Sequence, residues 1–182
     1  GVDLGGTNIA VGVINENLEI ISRANTKTNI PRPAEEIFAD IVKCCKEAVS
    51  KAGIDMSQVA SIGIGTPGSC DKKNGIILYA NNLYFDNVPA AELVNKELPG
   101  IPVYIENDAN CAALGEVVAG GAKGYRTSIT LTLGTGIGGG IIIDNKIYTG
   151  FNHAAGEVGH ITIQANGEPC GCGRKGCFEA YA

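Results

Sequence analysis

Leu4-Gly5-Gly6-Thr7, the apolar run Val11 to Ile14 and Asn15-Glu16-Asn17-Leu18 return later in the chain. The second copy is Leu133-Gly134-Thr135-Gly136, then Gly140 to Ile143, then Asp144-Asn145-Lys146-Ile147. Each copy reads as strand, glycine turn, strand, polar turn, strand. A unit that recurs in matched context predicts two similar lobes, each presenting a glycine turn. Either turn alone reads as an ordinary hairpin; the repetition is what points to phosphate. Two such turns facing one another across a cleft would offer backbone N–H groups to a polyphosphate. Gly134 to Gly140 reads as a loop, its clustered glycines suggesting close approach of backbone to a ligand; Gly134-Thr135-Gly136-Ile137-Gly138-Gly139 formally contains G-x-G-x-x-G, but a Rossmann site needs a helix next, and Ile141-Ile142-Ile143 reads as a strand. No G-K-[ST] occurs, which excludes a Walker A loop. Asp3, flanking the first turn with Gly5, Gly6, Thr7 and Asn8, is suited to hold Mg²⁺ through water.

Between the copies the chain alternates strands and helices. Pro33, Glu35 and Glu36 open a helix whose apolar positions Ile37, Ile41, Cys44, Cys45, Ala48 and Ala52 keep helical spacing, and Gly53 ends it. Val59 to Gly65 reads as a buried strand running into Thr66-Pro67-Gly68, and Asn74-Gly75 as a hairpin turn. Val103 to Glu106 is a strand feeding Asn107-Asp108, with a small-residue helix from about Asn110 to Ala119. Gly120 to Gly124 reads as a hinge or domain boundary, giving a first lobe over 1–119 and the start of a second over 120–182. Asp108 lies just beyond the carboxyl end of a strand, where ligands bind in α/β sheets. A carboxylate there can accept a hydroxyl proton during phosphoryl transfer, or Asn107 or Asp108 can simply cap the helix. Position alone weights the two equally.

The second chemical signal is Glu157-Val158-Gly159-His160 followed by Cys170-Gly171-Cys172 and Cys177-Phe178-Glu179. His160, Cys170, Cys172 and Cys177 form a Cys₃His set, which closes a tetrahedral zinc site and leaves no vacancy for a reactive water. The metal is therefore expected to be structural. Glu157 and Glu179 on its rim either orient ligands, solvate a surface or receive sugar hydroxyls, and His160 can address the metal with one ring nitrogen and a hydroxyl with the other. His153 reads as a polar loop residue.

The chain has 182 residues, 45% hydrophobic and 18% charged, the balance of a globular protein. Its net charge of −5 argues against nonspecific nucleic-acid binding, and no apolar run reaches the length of a membrane span. Cys44, Cys45, Cys70 and Cys111 read as buried, reduced thiols, which fits a cytoplasmic location. The chain starts inside a strand and stops as a helical pattern opens, so it reads as a piece of a longer protein.

With these residues assembled, the chain resembles the ROK family of sugar kinases and sugar-responsive repressors. Asp3-Leu4-Gly5-Gly6-Thr7, Glu106-Asn107-Asp108, Leu133-Gly134-Thr135-Gly136, Glu157-Val158-Gly159-His160 and the cysteine motif through Glu179 carry the resemblance. The cysteine motif is highly specific; the glycine turns are shared with actin-like ATPases more widely. The resemblance implies an α/β, actin-like ATPase (ribonuclease H-like) fold of duplicated lobes, the second truncated here, that closes on a sugar and transfers the γ-phosphoryl of ATP to it. It implies Asp108 as general base. Gly68, Asn82, Asn107, Asp108, Glu157, His160 and Glu179 would hold the sugar, and Gly6, Thr7, Thr135 and Gly136 the nucleotide phosphates. The expected cofactors are ATP, Mg²⁺ and structural Zn²⁺, and the expected assembly a homodimer. Glucose is the first expected substrate. The alternatives are an N-acylhexosamine kinase or a sugar-sensing repressor with a helix-turn-helix region upstream.

Overall fold

The computed structural model describes residues 1–134 and 136–182, so Thr135 lies outside the described residues. The chain divides into two compact units, Gly1–Asp108 and Ala109–Ala182.

In the first unit, β1 (Val2–Leu4), β2 (Asn8–Ile14) and β3 (Ile20–Lys27) form an antiparallel meander. β4 (Ile62–Thr66) and β8 (Val103–Asn107) extend it in parallel, giving the order β3-β2-β1-β4-β8. The alternation that predicts strands also chooses their faces: Val2, Leu4, Ile9, Val11, Ile62, Ile64 and Ile105 are buried. They meet α1 (Ala34–Lys51), which buries Ile37, Phe38, Ile41, Cys44, Cys45 and Ala48. Glu35 and Glu36 in its first turn and Lys51 in its last complement the helix dipole. Each buried Val, Leu, Ile or Phe among them contributes roughly 1.5–3 kcal/mol.

A second small sheet, β5 (Ser69–Asp71), β6 (Ile76–Ala80) and β7 (Phe85–Val88), is antiparallel throughout. The Asn74-Gly75 turn joins its first two strands, with Gly75 at φ +68°. Phe85 stacks on Phe38 with ring centroids 6.3 Å apart, and α2 (Ala90–Glu97) completes the core through Ala90 and Val94. Neither β7 nor α2 was expected from the sequence. Both are short, and their burial comes from tertiary contacts rather than from a long periodic pattern.

α3 (Asp108–Ala119) begins two residues earlier than expected, immediately after β8. In the second unit β9 (Ser128–Leu133), β10 (Ile137–Ile143) and β11 (Lys146–Ile147) repeat the antiparallel meander. Of the Gly134 to Gly140 loop expected from the sequence, Ile137, Gly138, Gly139 and Gly140 instead lie in β10. The reason is packing from both sides. A Cβ on Gly138 would run into Thr132 of β9 and crowd Ala109 of α3, one on Gly140 would run into Ala109 and Ala113 of α3, and one on Gly139 would run into Val158 and the Gly156 carbonyl. Cys44, Cys45 and Cys70 are buried as expected, whereas Cys111 is exposed, because it falls on the outer side of α3. No helix among the described residues is long and apolar enough to cross a membrane.

Candidate functional site

Parallel pairing of β1, β4 and β8 brings their carboxyl ends to one edge of the first sheet. That edge carries the turn after Leu4, the Pro67-Gly68 bend and the Asn107-Asp108 junction, the position at which open α/β sheets bind ligands. Gly6 faces Asn82: a Cβ built on Gly6 would lie 3.4 Å from the Asn82 carbonyl oxygen. Asn107 donates from Nδ2 to the Gly68 carbonyl at 3.1 Å. Gly68 has φ +87°, and a Cβ there would strike the backbone of Tyr79, so only glycine carries the bend. The first unit therefore gathers Asp3, the turn over residues 5–8, Gly68, Asn82, Asn107 and Asp108 from separate stretches of sequence.

The Asp3 carboxyl is pushed above its ordinary value, first by burial and then by the negative charge of Asp108. Two carboxylates that feel one another beside a glycine turn suit a divalent cation, whose charge would offset both the burial and the repulsion. Glu106 fastens the corner from behind. It accepts the Asn107 N–H at 2.9 Å through one oxygen and pairs with Lys72 through the other.

The second unit assembles the Cys₃His set. Its four candidate ligand atoms lie within 4.8 Å of one another. Cys170 Sγ is 3.7 Å from His160 Nδ1, and Cys172 Sγ is 3.6 Å from Cys177 Sγ. Edges of a zinc–thiolate tetrahedron with bonds of about 2.3 Å are about 3.7 Å long, so the donors fit the metal in kind and in spacing. Gly173 and Gly176, at φ +83° and +76°, turn the loop that makes this possible. Cys172 is held at about 6 by hydrogen bonds from the Arg174 backbone and guanidinium, which favours thiolate. Burial pushes Cys177 up to about 11, a cost that a bound cation would remove.

His160 sits on a short 3₁₀ turn, Val158–His160, with Nε2 4.0 Å from Glu157 Oε2. One imidazole nitrogen thus faces the cysteines and the other the carboxylate. Gly159 packs against the Ile137 carbonyl, where a side chain would not fit. Glu179 Oε2 accepts the Ile137 N–H at 2.8 Å and occupies the space a Gly136 Cβ would need. Glu179 is therefore joined to the second glycine turn, a link that no local pattern in the sequence signals. Thr135 of that turn falls outside the described residues.

A sequence profile for the ROK family matches residues 1–182. The chain is 42% identical over its full length to a glucokinase of Streptomyces coelicolor, covering 55% of that protein. It is 38% identical to a xylose repressor of Caldicellulosiruptor bescii, covering 45% of it. Among solved structures, a ROK family glucokinase from Streptomyces griseus in complex with glucose and AMPPNP superposes with a TM-score of 0.85 at 43% identity. That match covers all of this chain and 56% of the other. The chain thus spans about half the length of the curated relatives it matches. The fold is the actin-like ATPase fold, and the repeated meander with its glycine turn is what the two lobes share. The chain belongs to the ROK family.

Proposed function

We propose that the protein carrying this chain transfers the γ-phosphoryl group of ATP to a hydroxyl of a hexose, glucose being the first substrate to test. The observation that carries the reading is the shared sheet edge of the first unit, where Asp108 opens a helix at the end of β8 and its charge is felt by Asp3 beside the glycine turn. In this reading Asp108 orients the sugar hydroxyl and takes its proton as the new O–P bond forms and the bond to the ADP oxygen breaks. Asn107, Asn82 and Gly68 hold the sugar from this unit; Glu157, His160 and Glu179 hold it from the other. Backbone N–H groups of Gly6, Thr7 and Gly136 receive phosphate oxygens, with Thr135 beside them. Mg²⁺, when bound with ATP, spreads the phosphate charge, and Asp3 is the carboxylate suited to hold it through water. Zinc on His160, Cys170, Cys172 and Cys177 orders the sugar-facing loop and takes no part in the transfer. The burial of Cys44 and Cys45, and a Cys45 thiol pushed up to about 11 by burial, supports a reducing, cytoplasmic setting.

Asp108→Asn in the full-length protein is expected to lower kcat by about 10²–10⁴-fold while sugar affinity stays within a few-fold. Unchanged turnover would overturn the assignment. Rates on glucose, N-acetylmannosamine and N-acetylglucosamine separate the hexose reading from the N-acylhexosamine one. A sugar-responsive repressor is favoured by the 38% identity to a xylose repressor and disfavoured by the net charge of −5. Sugar-dependent release from DNA without phosphorylation would establish it instead.

A further inference from the structure

Thr28 follows β3 directly and is fully buried. Its hydroxyl donates to the Gly5 carbonyl at 2.6 Å, and its backbone N–H donates to the Thr7 carbonyl at 3.0 Å. A single residue thus takes up the two carbonyls on either side of Gly6. The turn is closed by a further bond, Gly5 N–H to the Asn8 carbonyl at 3.0 Å. Among the described residues, the Gly6 and Thr7 amides donate to no protein acceptor. A backbone turn binds an anion only when its N–H groups face the ligand and its carbonyls face away. Thr28 is itself anchored. Arg32 Nε donates to the Thr28 carbonyl at 2.8 Å, while the same guanidinium pairs with Asp40 of α1 at 2.6 Å.

We infer that Thr28 is a positioning residue for nucleotide phosphate: it clasps the Gly5 and Thr7 carbonyls so that the Gly6 and Thr7 amides are presented to the phosphate chain. The inference rests on the kinase reading above and deepens it by naming what holds the phosphate turn in its binding shape. Arg32 and Asp40 extend the clasp to the helix, so the turn is braced against α1 rather than standing free at the sheet edge.

Two substitutions separate the clasp from mere packing. Thr28→Val keeps the side-chain shape and loses the hydroxyl; Thr28→Ser keeps the hydroxyl and loses a buried methyl group. In the full-length protein, Thr28→Val is expected to raise the KM for ATP, and the Kd for ADP measured by calorimetry, by about tenfold, with the KM for sugar within about twofold. Thr28→Ser is expected to bind nucleotide as the parent does, although it melts at a lower temperature. If Thr28→Ser loses nucleotide affinity and Thr28→Val keeps it, Thr28 only fills space and the clasp is overturned. Equal affinity in all three proteins overturns it as well. ADP binding is read without turnover, so a parent that binds ADP but phosphorylates no sugar removes the choice of acceptor and leaves the clasp measurable. A parent that binds no nucleotide overturns the kinase reading and the clasp with it.

Discussion

Asp3 pays for its place beside the glycine turn in electrostatic terms. Burial and the charge of Asp108 both raise its carboxyl above the ordinary 3.8. A raised carboxyl means that folding favours the protonated form. Its contribution to stability is therefore fully present below the ordinary value and is lost as pH rises through the raised one. Asp3→Asn removes that loss. The variant is expected to melt above the parent at pH 7, with the difference shrinking towards pH 4, and to gain less from added Mg²⁺. A thermal-unfolding series in pH and in Mg²⁺ reads both effects, and a variant that melts below the parent at pH 7 would contradict the assignment. Asp3, the turn after it and Asp108 were legible in the sequence because residue type and neighbours announce them. Thr28 was not. A threonine at a strand end is ordinary, and it reaches the turn only because β2 and β3 pair with Asn8 opposite Lys27. Register is fixed by the whole hairpin, not by any residue of it.

At the scale of the element, β10 shows how one run of residues can be read for the wrong cause. Three consecutive glycines read as a loop near a ligand, yet Gly138, Gly139 and Gly140 form a strand squeezed on both faces. The alternation of a strand explains the division of labour: Gly138 and Gly140 admit α3, and Gly139 admits the segment that bears Glu157 and His160. Sequence patterns register what side chains do and are silent when the requirement is that there be none. Gly139→Ala is expected to destabilise the protein by about 1–3 kcal/mol, because the added carbon meets Val158 and the Gly156 carbonyl. Gly171→Ala, where an added carbon meets nothing, serves as the control. Chemical denaturation of both variants checks the pair; equal midpoints would refute the packing argument. α1 carries acidic residues in its first turn, a basic one in its last and an apolar stripe between, so its local and tertiary preferences agree.

At the scale of the whole molecule, the repeat was the legible feature, and both of its copies fold as antiparallel meanders. What the repeat conceals is that its two turns are fastened differently. The first is held by Thr28, from within its own meander; the second is held by Glu179, two residues beyond the last cysteine of the metal set. Metal removal should therefore loosen more than the loop that bears His160. Cys172→Ser is expected to abolish binding of one zinc per chain, read by elemental analysis. It should also speed amide exchange at Ile137 along with residues 160–177, read by hydrogen-exchange mass spectrometry. Protection at Ile137 that survives metal loss would show that Glu179 holds the turn unaided.

The Ile137–Glu179 bond also has a consequence for biosynthesis. Its partners are 42 positions apart. Ribosomes add about 5–20 residues per second, so the second turn waits about 2–8 seconds for its fastener to be made. The first turn is tied by Thr28, 23 positions after Gly5, and waits about 1–5 seconds at the same rate. Between those moments a nascent chain has its first turn fastened and its second still open.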